Sequence, residues 1–508
     1  MIAKITSAAV IGLDAQLVYV EVHFSKGKSK FFIVGMPDKA CSESKERVSA
    51  IIRNLLGRRI PAGTITVNLA PADILKTGPV YDLPISIGIL SVLGEIRFDQ
   101  NKKMFFGELG LDGRTKHADA VLAISDLARR KGVSELYIPE SDVSEAGLIP
   151  GTEILPVRAL SDLVAHLNRT EKIKPFKQVK HTNQSSISEF DQDDIAYIKG
   201  QKQAKRAMEI AASGSHNLLM CGSPGSGKTM LAKSLPGILP TLTFEEGLEV
   251  TRIYSVAGLL NNNHSLLKYR PFRKPHHTIS HIALTGGGSI PRPGEISLSH
   301  RGVLFLDEFT EFSSKSIESL RQPLEDGVIT ISRAKGTLTF PAKFMLIAAM
   351  NPCRCGWYGD DSRECSCSPL EITRYNKKIS GPILDRIDIS LKVQRVEFNE
   401  LNSNMNTETS SCVQARVQKA KEIQNKRFTN THITSNSEMS QKDIELNVIL
   451  DYTSKVILKK AVIKLNMSAR SYFRTMKVAR TIADLEQSEA VKSSHVAEAL
   501  SYRIADAT

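Results

Sequence analysis

NLLMCGSPGSGKTMLA occupies residues 217 to 232 and decides the fold of this chain. Its first residues predict a short apolar strand, Leu218 to Met220, followed by a glycine-rich loop and then by a helix that opens at Lys228. Glycines let the loop backbone curl, so that successive N–H groups converge on a phosphate, and the helix N-terminus adds partial positive charge. The loop GSPGSGKT matches the Walker A pattern. A chance glycine-rich turn is rejected because a strand precedes the loop and a helix follows it.

Each residue of this loop receives a predicted role in binding ATP and Mg²⁺. Lys228 would contact the β- and γ-phosphates, and the Thr229 hydroxyl would ligate Mg²⁺. The predicted nucleotide-binding residues are Gly222, Ser223, Pro224, Gly225, Ser226, Gly227, Lys228 and Thr229.

Composition narrows the class of protein. The chain has 508 residues, of which 41% are hydrophobic and 24% charged, as expected for about three globular domains. Lys and Arg number 67 against 54 Asp and Glu, and the net charge of +13 favours an anionic partner such as nucleic acid. Solubility alone is the simpler explanation of the same charge.

No run of 18 apolar residues occurs, so no membrane partner is expected. Seven cysteines without a disulfide framework predict a cytoplasmic location.

Further motifs follow the loop in an informative order. The chain carries KTGPVYDLP before the loop, and RPFRKPHHT, GVLFLDE, AMNPCRCG, LDRIDI and MSARSYFR after it. In this order they resemble the Mg-chelatase-like AAA+ ATPases of the ComM/YifB family, and the resemblance covers essentially the whole chain. It implies an ATP hydrolase that works as a homo-hexamer.

The resemblance implies roles for several site residues. Asp307 and Glu308 end the apolar run Gly302 to Leu306 as a Walker B pair; Asp307 would hold Mg²⁺ through water and Glu308 would polarise the attacking water. Asn351, after a strand over Phe344 to Met350, would position that water.

Two arginines are implied to complete the reaction centre. Arg386, in ISGPILDRIDI, would project into the ATP of a neighbouring subunit, although a surface arginine paired with Asp385 or Asp388 is the alternative. Arg470 would contact the γ-phosphate in its own subunit or its neighbour's.

Two basic stretches lie between these motifs. Arg270 to His281, RPFRKPHHTISH, pairs two histidines, but no Asp, Glu or Cys is near in sequence, so we interpret it as a basic surface insert rather than a metal site. Val328 to Phe340 predicts a hairpin with two cations at its tip. The predicted DNA contacts are Arg333, Lys335, Arg273 and Lys274.

Four cysteines cluster in sequence as C-x-C-x₉-C-x-C. Thiolates of Cys353, Cys355, Cys365 and Cys367 can surround one Zn²⁺ tetrahedrally, whereas reduced thiols in a loop are the alternative. Any such zinc would be structural and would hold the loop after Asn351.

Within the AAA+ resemblance the fold class is α/β, in four segments. Residues 1–167 resemble a Lon-protease-like α+β domain, 168–193 form a linker, 194–395 form the AAA+ P-loop α/β core with a parallel sheet and helices on both faces, and 396–508 form a C-terminal α-helical lid. In the proteolytic relatives a serine follows Gly-Pro; here Val80 follows, so peptide hydrolysis by that residue is excluded.

The function implied by the resemblance is an ATP-driven hexameric DNA motor of the helicase type. ComM-type members promote branch migration and heteroduplex extension in homologous recombination during natural transformation. The implied partners are single-stranded and branched DNA, further copies of the chain, and recombination proteins. A remodelling ATPase without DNA, or a chelatase-type motor subunit, is the alternative.

Overall fold

The computed structural model describes residues 2–177, 193–260, 266–288, 291–333, 336–360, 362–396 and 408–503. Contacts group the chain into two units: Met1–Asn183 with Gly247–Leu267, and Gln184–Glu246 with Lys268–Thr508. None of the helices in these described ranges is long and apolar enough to cross a membrane.

The first unit is built on a four-stranded sheet with the strand order β1-β2-β4-β3. Its strands are β1 (Ile2–Ile11), β2 (Asp14–Lys26), β3 (Lys30–Val34) and β4 (Gly63–Ala70). Val18, Val20 and Val22 in β2 are fully buried and the residues between them are not, so alternate side chains of this strand face the core. The smaller strands are β5 (Lys103–Phe105), β6 (Glu108–Leu109), β7 (Thr115–Lys116), β8 (Glu135–Pro139) and β9 (Glu153–Val157); β5, β8 and β9 form a parallel sheet.

Helices cover these sheets. They are α1 (Lys39–Leu56), α2 (Asp82–Val92), α3 (Val121–Arg130), α4 (Val143–Ala146) and α5 (Leu160–Leu167). The first helix begins where Asp38 accepts a hydrogen bond from the Cys41 N–H, and it ends at Gly57 in the left-handed conformation. Buried Val48, Ile51 and Ile52 form its apolar face.

The second unit contains a five-stranded parallel sheet with the order β11-β14-β17-β10-β18. Its strands, with two small hairpins, are β10 (Leu218–Cys221), β11 (Phe272–Arg273), β12 (Gly286–Gly287), β13 (Arg292–Pro293), β14 (Val303–Leu306), β15 (Val328–Arg333), β16 (Gly336–Pro341), β17 (Met345–Met350) and β18 (Ile389–Lys392). Every residue of β14 and β17 is buried, as a parallel sheet covered on both faces requires.

The helices of the second unit include the predicted C-terminal group. They are α6 (Lys202–Gly214), α7 (Lys228–Ser234), α8 (Phe244–Ala257, which belongs to the first unit from Gly247 onward), α9 (His281–Thr285), α10 (Glu295–Leu298), α11 (Ser314–Glu318), α12 (Arg321–Asp326), α13 (Pro369–Asn376), α14 (Gly381–Leu384), α15 (Ser410–Arg427), α16 (Gln441–Asn447), α17 (Tyr452–Lys464), α18 (Ala469–Leu485) and α19 (Ser493–Ser501). Short 3₁₀ helices occur at Glu140–Asp142, Ile195–Tyr197, Leu235–Ile238, Phe309–Glu311 and Asn436–Glu438. The C-terminal helices share one hydrophobic cluster with the parallel sheet, so they fold with it as a single unit.

The stretch Gly247–Leu267 belongs to the first unit, although the predicted core segment 194–395 includes it. Leu248 and Leu266 pack against a buried cluster around Leu122, and Ser255 donates a hydrogen bond to Glu145. These contacts join residues about a hundred positions apart, so no local pattern in the sequence announces them.

Candidate nucleotide-hydrolysis site

The phosphate loop leaves the carboxyl end of β10 and turns into α7, as the motif predicts. Gly225 and Gly227 have φ angles of +77° and +91°, which side chains other than glycine rarely adopt. At Gly222 an added Cβ would lie 2.2 Å from the Val393 carbonyl oxygen, so only glycine fits there. The backbone therefore requires glycine at these three positions of the loop.

Lys228 lies inside the loop, where a triphosphate would bind. Its ammonium donates to the carbonyl oxygens of Gly222 at 2.7 Å and Ser223 at 3.0 Å, and lies 3.3 Å from Oδ1 of Asn351. Burial lowers the pKa of Lys228 below its usual value. A bound phosphate would place a negatively charged partner next to this buried ammonium.

The Walker B carboxylates stand beside the loop, because β14 and β10 both flank β17. The Thr229 hydroxyl donates to Oδ2 of Asp307 at 2.9 Å, so the two predicted Mg²⁺ residues are adjacent. Glu308 follows with φ +52°, an uncommon conformation for a non-glycine residue, and its side chain is 58% exposed. An exposed carboxylate at this edge is accessible to water and to substrate.

Two side chains that sequence reasoning did not place in the site hold these carboxylates. The Lys274 ammonium lies 3.1 Å from Oδ2 of Asp307, and Nδ1 of His277 lies 3.1 Å from Oε2 of Glu308. Both follow β11, which pairs with β14 along only two residues, Phe272 and Arg273. So short a strand has no detectable periodicity, which is why the sequence did not reveal it.

The interpretation of Arg270 to His281 as a basic surface insert is therefore wrong in part, since it contains the edge strand of the central sheet. Arg270 is mostly buried and pairs with Glu246 at 2.8 Å. Arg273 makes two hydrogen bonds of 2.7 Å to the Glu295 carboxylate. Because Arg273 and Lys274 have carboxylate partners within the unit, their predicted DNA contacts gain no support from this geometry.

The predicted hairpin is confirmed as β15 and β16, which pair from Val328 with Pro341 to Arg333 with Gly336. Arg333 ends β15, whereas Lys335 lies outside the described residues. Their contact with DNA stays a prediction.

The four clustered cysteines come together in space. Sγ of Cys353 lies 3.3 Å from Sγ of Cys355 and 3.6 Å from Sγ of Cys365, and all four sulfur atoms lie within 4.8 Å of one another. In the described part of the chain this is the one group of three or more His, Cys, Asp or Glu placed to hold a metal ion. The cysteines thus form a candidate Cys₄ metal site directly after Asn351.

Arg386 and Arg470 lie together, away from the phosphate loop of their own chain. Both donate to the carboxylate of Glu325, Arg470 at 2.9 Å, and the Arg386 side chain is only 3% exposed. The partner of Arg386 is therefore neither Asp385 nor Asp388. The Arg386 carbonyl oxygen accepts a hydrogen bond from Asn217, which precedes β10, whereas the phosphate loop follows β10. The four residues of β10, at ~3.3 Å each, separate the amino end of the strand, where Arg386 is bonded, from the phosphate loop by about 13 Å.

Arg386 and Arg470 both line a cavity of about 860 Å³. Its walls include Asn217, Gly302 and Met345, which lie at the amino ends of β10, β14 and β17. Eight cationic and five acidic side chains line it, so it carries excess positive charge. Its excess positive charge suits an anionic group.

The fold and the site together define a class of protein. A parallel sheet with a Walker A loop at its carboxyl edge, Walker B carboxylates on β14 and a polar residue after β17 defines a P-loop nucleotide-binding protein.

Family models narrow the class further, and they match the chain in order. "Subunit ChlI of Mg-chelatase" matches residues 20–142, "Magnesium chelatase, subunit ChlI" matches 194–401, and "Magnesium chelatase, subunit ChlI C-terminal" matches 407–503. The competence protein ComM of Haemophilus influenzae is 43% identical over 505 residues, covering 99% of this chain and 97% of that protein. YifB of Escherichia coli is 38% identical over 501 residues, covering 98% and 96%. The DNA replication licensing factor Mcm2 of Drosophila melanogaster is 26% identical over 218 residues, which are 40% of this chain and 21% of that protein.

The chain therefore belongs to the Mg-chelatase-like AAA+ family that includes ComM and YifB, which confirms the resemblance inferred from its motifs. Membership of this family indicates ATPase activity and the use of a nucleotide with Mg²⁺.

Proposed function

We propose that this protein is an ATP-driven motor of the helicase type that works on DNA as a hexameric ring. In this proposal it promotes branch migration and heteroduplex extension in homologous recombination during natural transformation. The observation that carries the proposal is the position of Arg386 and Arg470. They lie near the amino ends of the parallel strands, whereas the phosphate loop of the same chain lies at the carboxyl ends. Such a site becomes complete only when one subunit offers its arginines to the nucleotide of the next.

Within one subunit, the residues around the phosphate loop bind and orient the nucleotide. The loop amides and Lys228 would hold the phosphates, and Asn351, within reach of Lys228, would orient water at the γ-phosphate. Glu308 is the general base, since it is the exposed carboxylate next to that position. The adjacent oxygens of Thr229 and Asp307 fit Mg²⁺, which would neutralise phosphate charge when it is bound.

Between subunits, the cationic cavity would receive the phosphates of the neighbour's ATP. Arg386 and Arg470 share Glu325 in the isolated chain, and an approaching γ-phosphate offers them a stronger acceptor than one half-exposed carboxylate. Hydrolysis would remove that acceptor and return the arginines to Glu325. In this way ATP turnover would change the contact between neighbouring subunits.

Three observations support DNA as the substrate of the motor. The net charge is +13, two of the relatives are named for competence and for DNA replication, and β15 of the hairpin ends at Arg333, which Lys335 follows closely in sequence. In a ring, six copies of this hairpin would bring cations to the axis, where they can contact phosphates of a strand. All seven cysteines are free, which fits a protein of the reducing cytoplasm.

One experiment tests the DNA part of the proposal. ATPase rate and particle mass are measured with no DNA, with single-stranded DNA and with a branched junction, and junction movement is followed on gels. We expect DNA to stimulate ATP hydrolysis and hexamers to move the junction only with ATP.

The Arg333→Ala/Lys335→Ala variant should lose stimulation and keep the basal rate. Lys459→Ala/Lys460→Ala, which removes two exposed cations from α17, is the matched control and should behave as wild type. Full stimulation of the hairpin variant would contradict the proposed contact.

A chelatase-type motor or a remodelling ATPase is the second candidate. It is favoured by one observation, since all three matching family models are named for a magnesium chelatase subunit. Such a motor would hydrolyse ATP at the same rate with and without DNA, and its binding to DNA would not weaken steeply with salt. That result would replace the DNA motor by this candidate.

A further inference from the structure

The loop that carries the four cysteines packs against the phosphate loop. It spans residues 353–367 and contains no helix or strand among its described residues. An added Cβ at Gly356 would lie 2.6 Å from Cδ of Pro224, so the cysteine loop touches the outer side of the phosphate loop through bare backbone. Gly356 also has a φ of +88°, a conformation that favours glycine.

Polar contacts join the same two loops. Ser362 donates hydrogen bonds to the Asp360 carboxylate through its N–H and its hydroxyl, and interaction with the Ser223 and Ser362 side chains lowers the pKa of Asp360 to about 2. Arg395 donates to the Pro224 carbonyl oxygen at 3.1 Å, and its guanidinium lies 4.6 Å from the ring centre of Trp357. The cysteine loop therefore supports the phosphate loop both directly and through Arg395.

Few buried contacts within the cysteine loop stabilise its conformation. Of its described residues only Cys353 and Gly356 are buried, and the half-buried Trp357, the single tryptophan of the chain, makes cation–π contacts with Arg363 and Arg395. Exposed hydrogen bonds and cation–π contacts each contribute about 1 kcal/mol or less. Such contacts cannot keep a loop of this length in one conformation against its chain entropy.

The four sulfur atoms are arranged to bind one metal ion, which would stabilise the conformation of the loop. Four sulfur atoms at ~2.3 Å from one Zn²⁺ in a tetrahedron are about 3.8 Å apart. The three closest observed separations are 3.3, 3.5 and 3.6 Å, and all four atoms lie within 4.8 Å. A single tetrahedral ion fits between them, and four sulfur ligands select zinc among the redox-inert metals.

We propose that Cys353, Cys355, Cys365 and Cys367 bind one Zn²⁺, and that the zinc-bound loop holds the phosphate loop in its nucleotide-binding conformation through Gly356, Asp360 and Arg395. Zinc occupancy is thereby coupled to ATP affinity. The proposal rests on the proposed nucleotide site but not on DNA or on a hexamer, because every contact lies within one chain.

The test measures zinc content by elemental analysis and ATP affinity by titration with a fluorescent ATP analogue, on the full chain. Wild type should contain one zinc per chain. Cys355→Ser/Cys365→Ser should contain none and should bind ATP about tenfold more weakly or worse, the effect of losing one or two supporting hydrogen bonds. Cys412→Ser, which changes an exposed cysteine outside the cluster, is the matched control and should match wild type in both measurements.

A second variant separates the loop contact from the metal. Gly356→Ala keeps all four thiols but places a methyl group against Pro224, so it should retain zinc and still bind ATP more weakly. If the double cysteine variant does not fold, zinc is instead removed from wild type with a chelator and added back. ATP affinity should fall and then recover.

Two results would overturn the inference: reduced wild type that contains no zinc, or zinc-free protein that binds ATP as tightly as wild type. Failure of the nucleotide site itself looks different, because zinc-loaded wild type would then not bind ATP at all.

Discussion

Replacing Arg386 by alanine should abolish ATP hydrolysis without preventing ATP binding. The Arg386 carbonyl oxygen is bonded to Asn217 at the amino end of β10, about 13 Å along the sheet from the phosphate loop. The guanidinium is bonded to Glu325 and to the Pro382 carbonyl oxygen, so it does not reach the nucleotide of its own chain. We therefore expect the variant to bind ATP with wild-type affinity. Arginines that act from a neighbouring subunit contribute about 10³-fold or more to the rate of phosphoryl transfer, and the loss should be of that size.

Loss of folding would not explain this result. Arg386 gives up its hydrogen bonds to Glu325 and to the Pro382 carbonyl oxygen, but Glu325 is half exposed and keeps Arg470 as a partner. The Arg386 side chain itself is buried, so the free energy of unfolding should fall by about 2 kcal/mol through lost packing and hydrogen bonds. A thermal melt checks this, and Arg416→Ala serves as a control because Arg416 also pairs with carboxylates but lies outside both sites.

A mixing assay distinguishes action between subunits from action within one. Arg386→Ala and Lys228→Ala are each inactive, but a ring that contains both has some interfaces with an intact phosphate loop on one side and an intact arginine on the other. Random mixing in equal amounts makes about a quarter of the interfaces complete, since each side is intact half of the time. ATPase rate should thus recover to about a quarter of the wild-type value.

Two results would refute this reasoning. A mixture as inactive as its components would show that the arginine does not act on a neighbour. Full activity of Arg386→Ala alone would remove Arg386 from the reaction centre.

Three further changes test the rest of the site. Lys228→Ala should weaken ATP binding roughly a hundredfold, the effect of losing charge-assisted hydrogen bonds to phosphate, and titration with a fluorescent analogue measures this. Glu308→Gln should bind ATP normally but hydrolyse it about a hundredfold more slowly or worse in single-turnover assays; normal turnover would exclude it as the base. Lys274→Met should lower the half-saturating Mg²⁺ concentration about two- to fivefold, because the exposed ion pair with Asp307 no longer competes; an unchanged value would argue against this competition.

The sequence was sufficient for the local elements. The phosphate loop is encoded by consecutive residues, so GSPGSGKT predicted both its position and the helix that follows. The period-two burial in β2 and the helical spacing in α1 also follow local patterns of apolar residues. The hairpin of β15 and β16 was also found, since its strands are adjacent in sequence.

Only the tertiary structure decided which distant residues share a site. The order β11-β14-β17-β10-β18 brings Lys274 and His277 to the Walker B carboxylates, and it separates Arg386 from the phosphate loop. The same folding places Gly247–Leu267 in the first unit and sets Gly356 against Pro224. A motif depends on a few consecutive backbone angles, which the sequence encodes locally. Parallel strand pairing is settled by the free energy of burying the whole sheet, so residues far apart along the chain acquire their neighbours only when the unit folds.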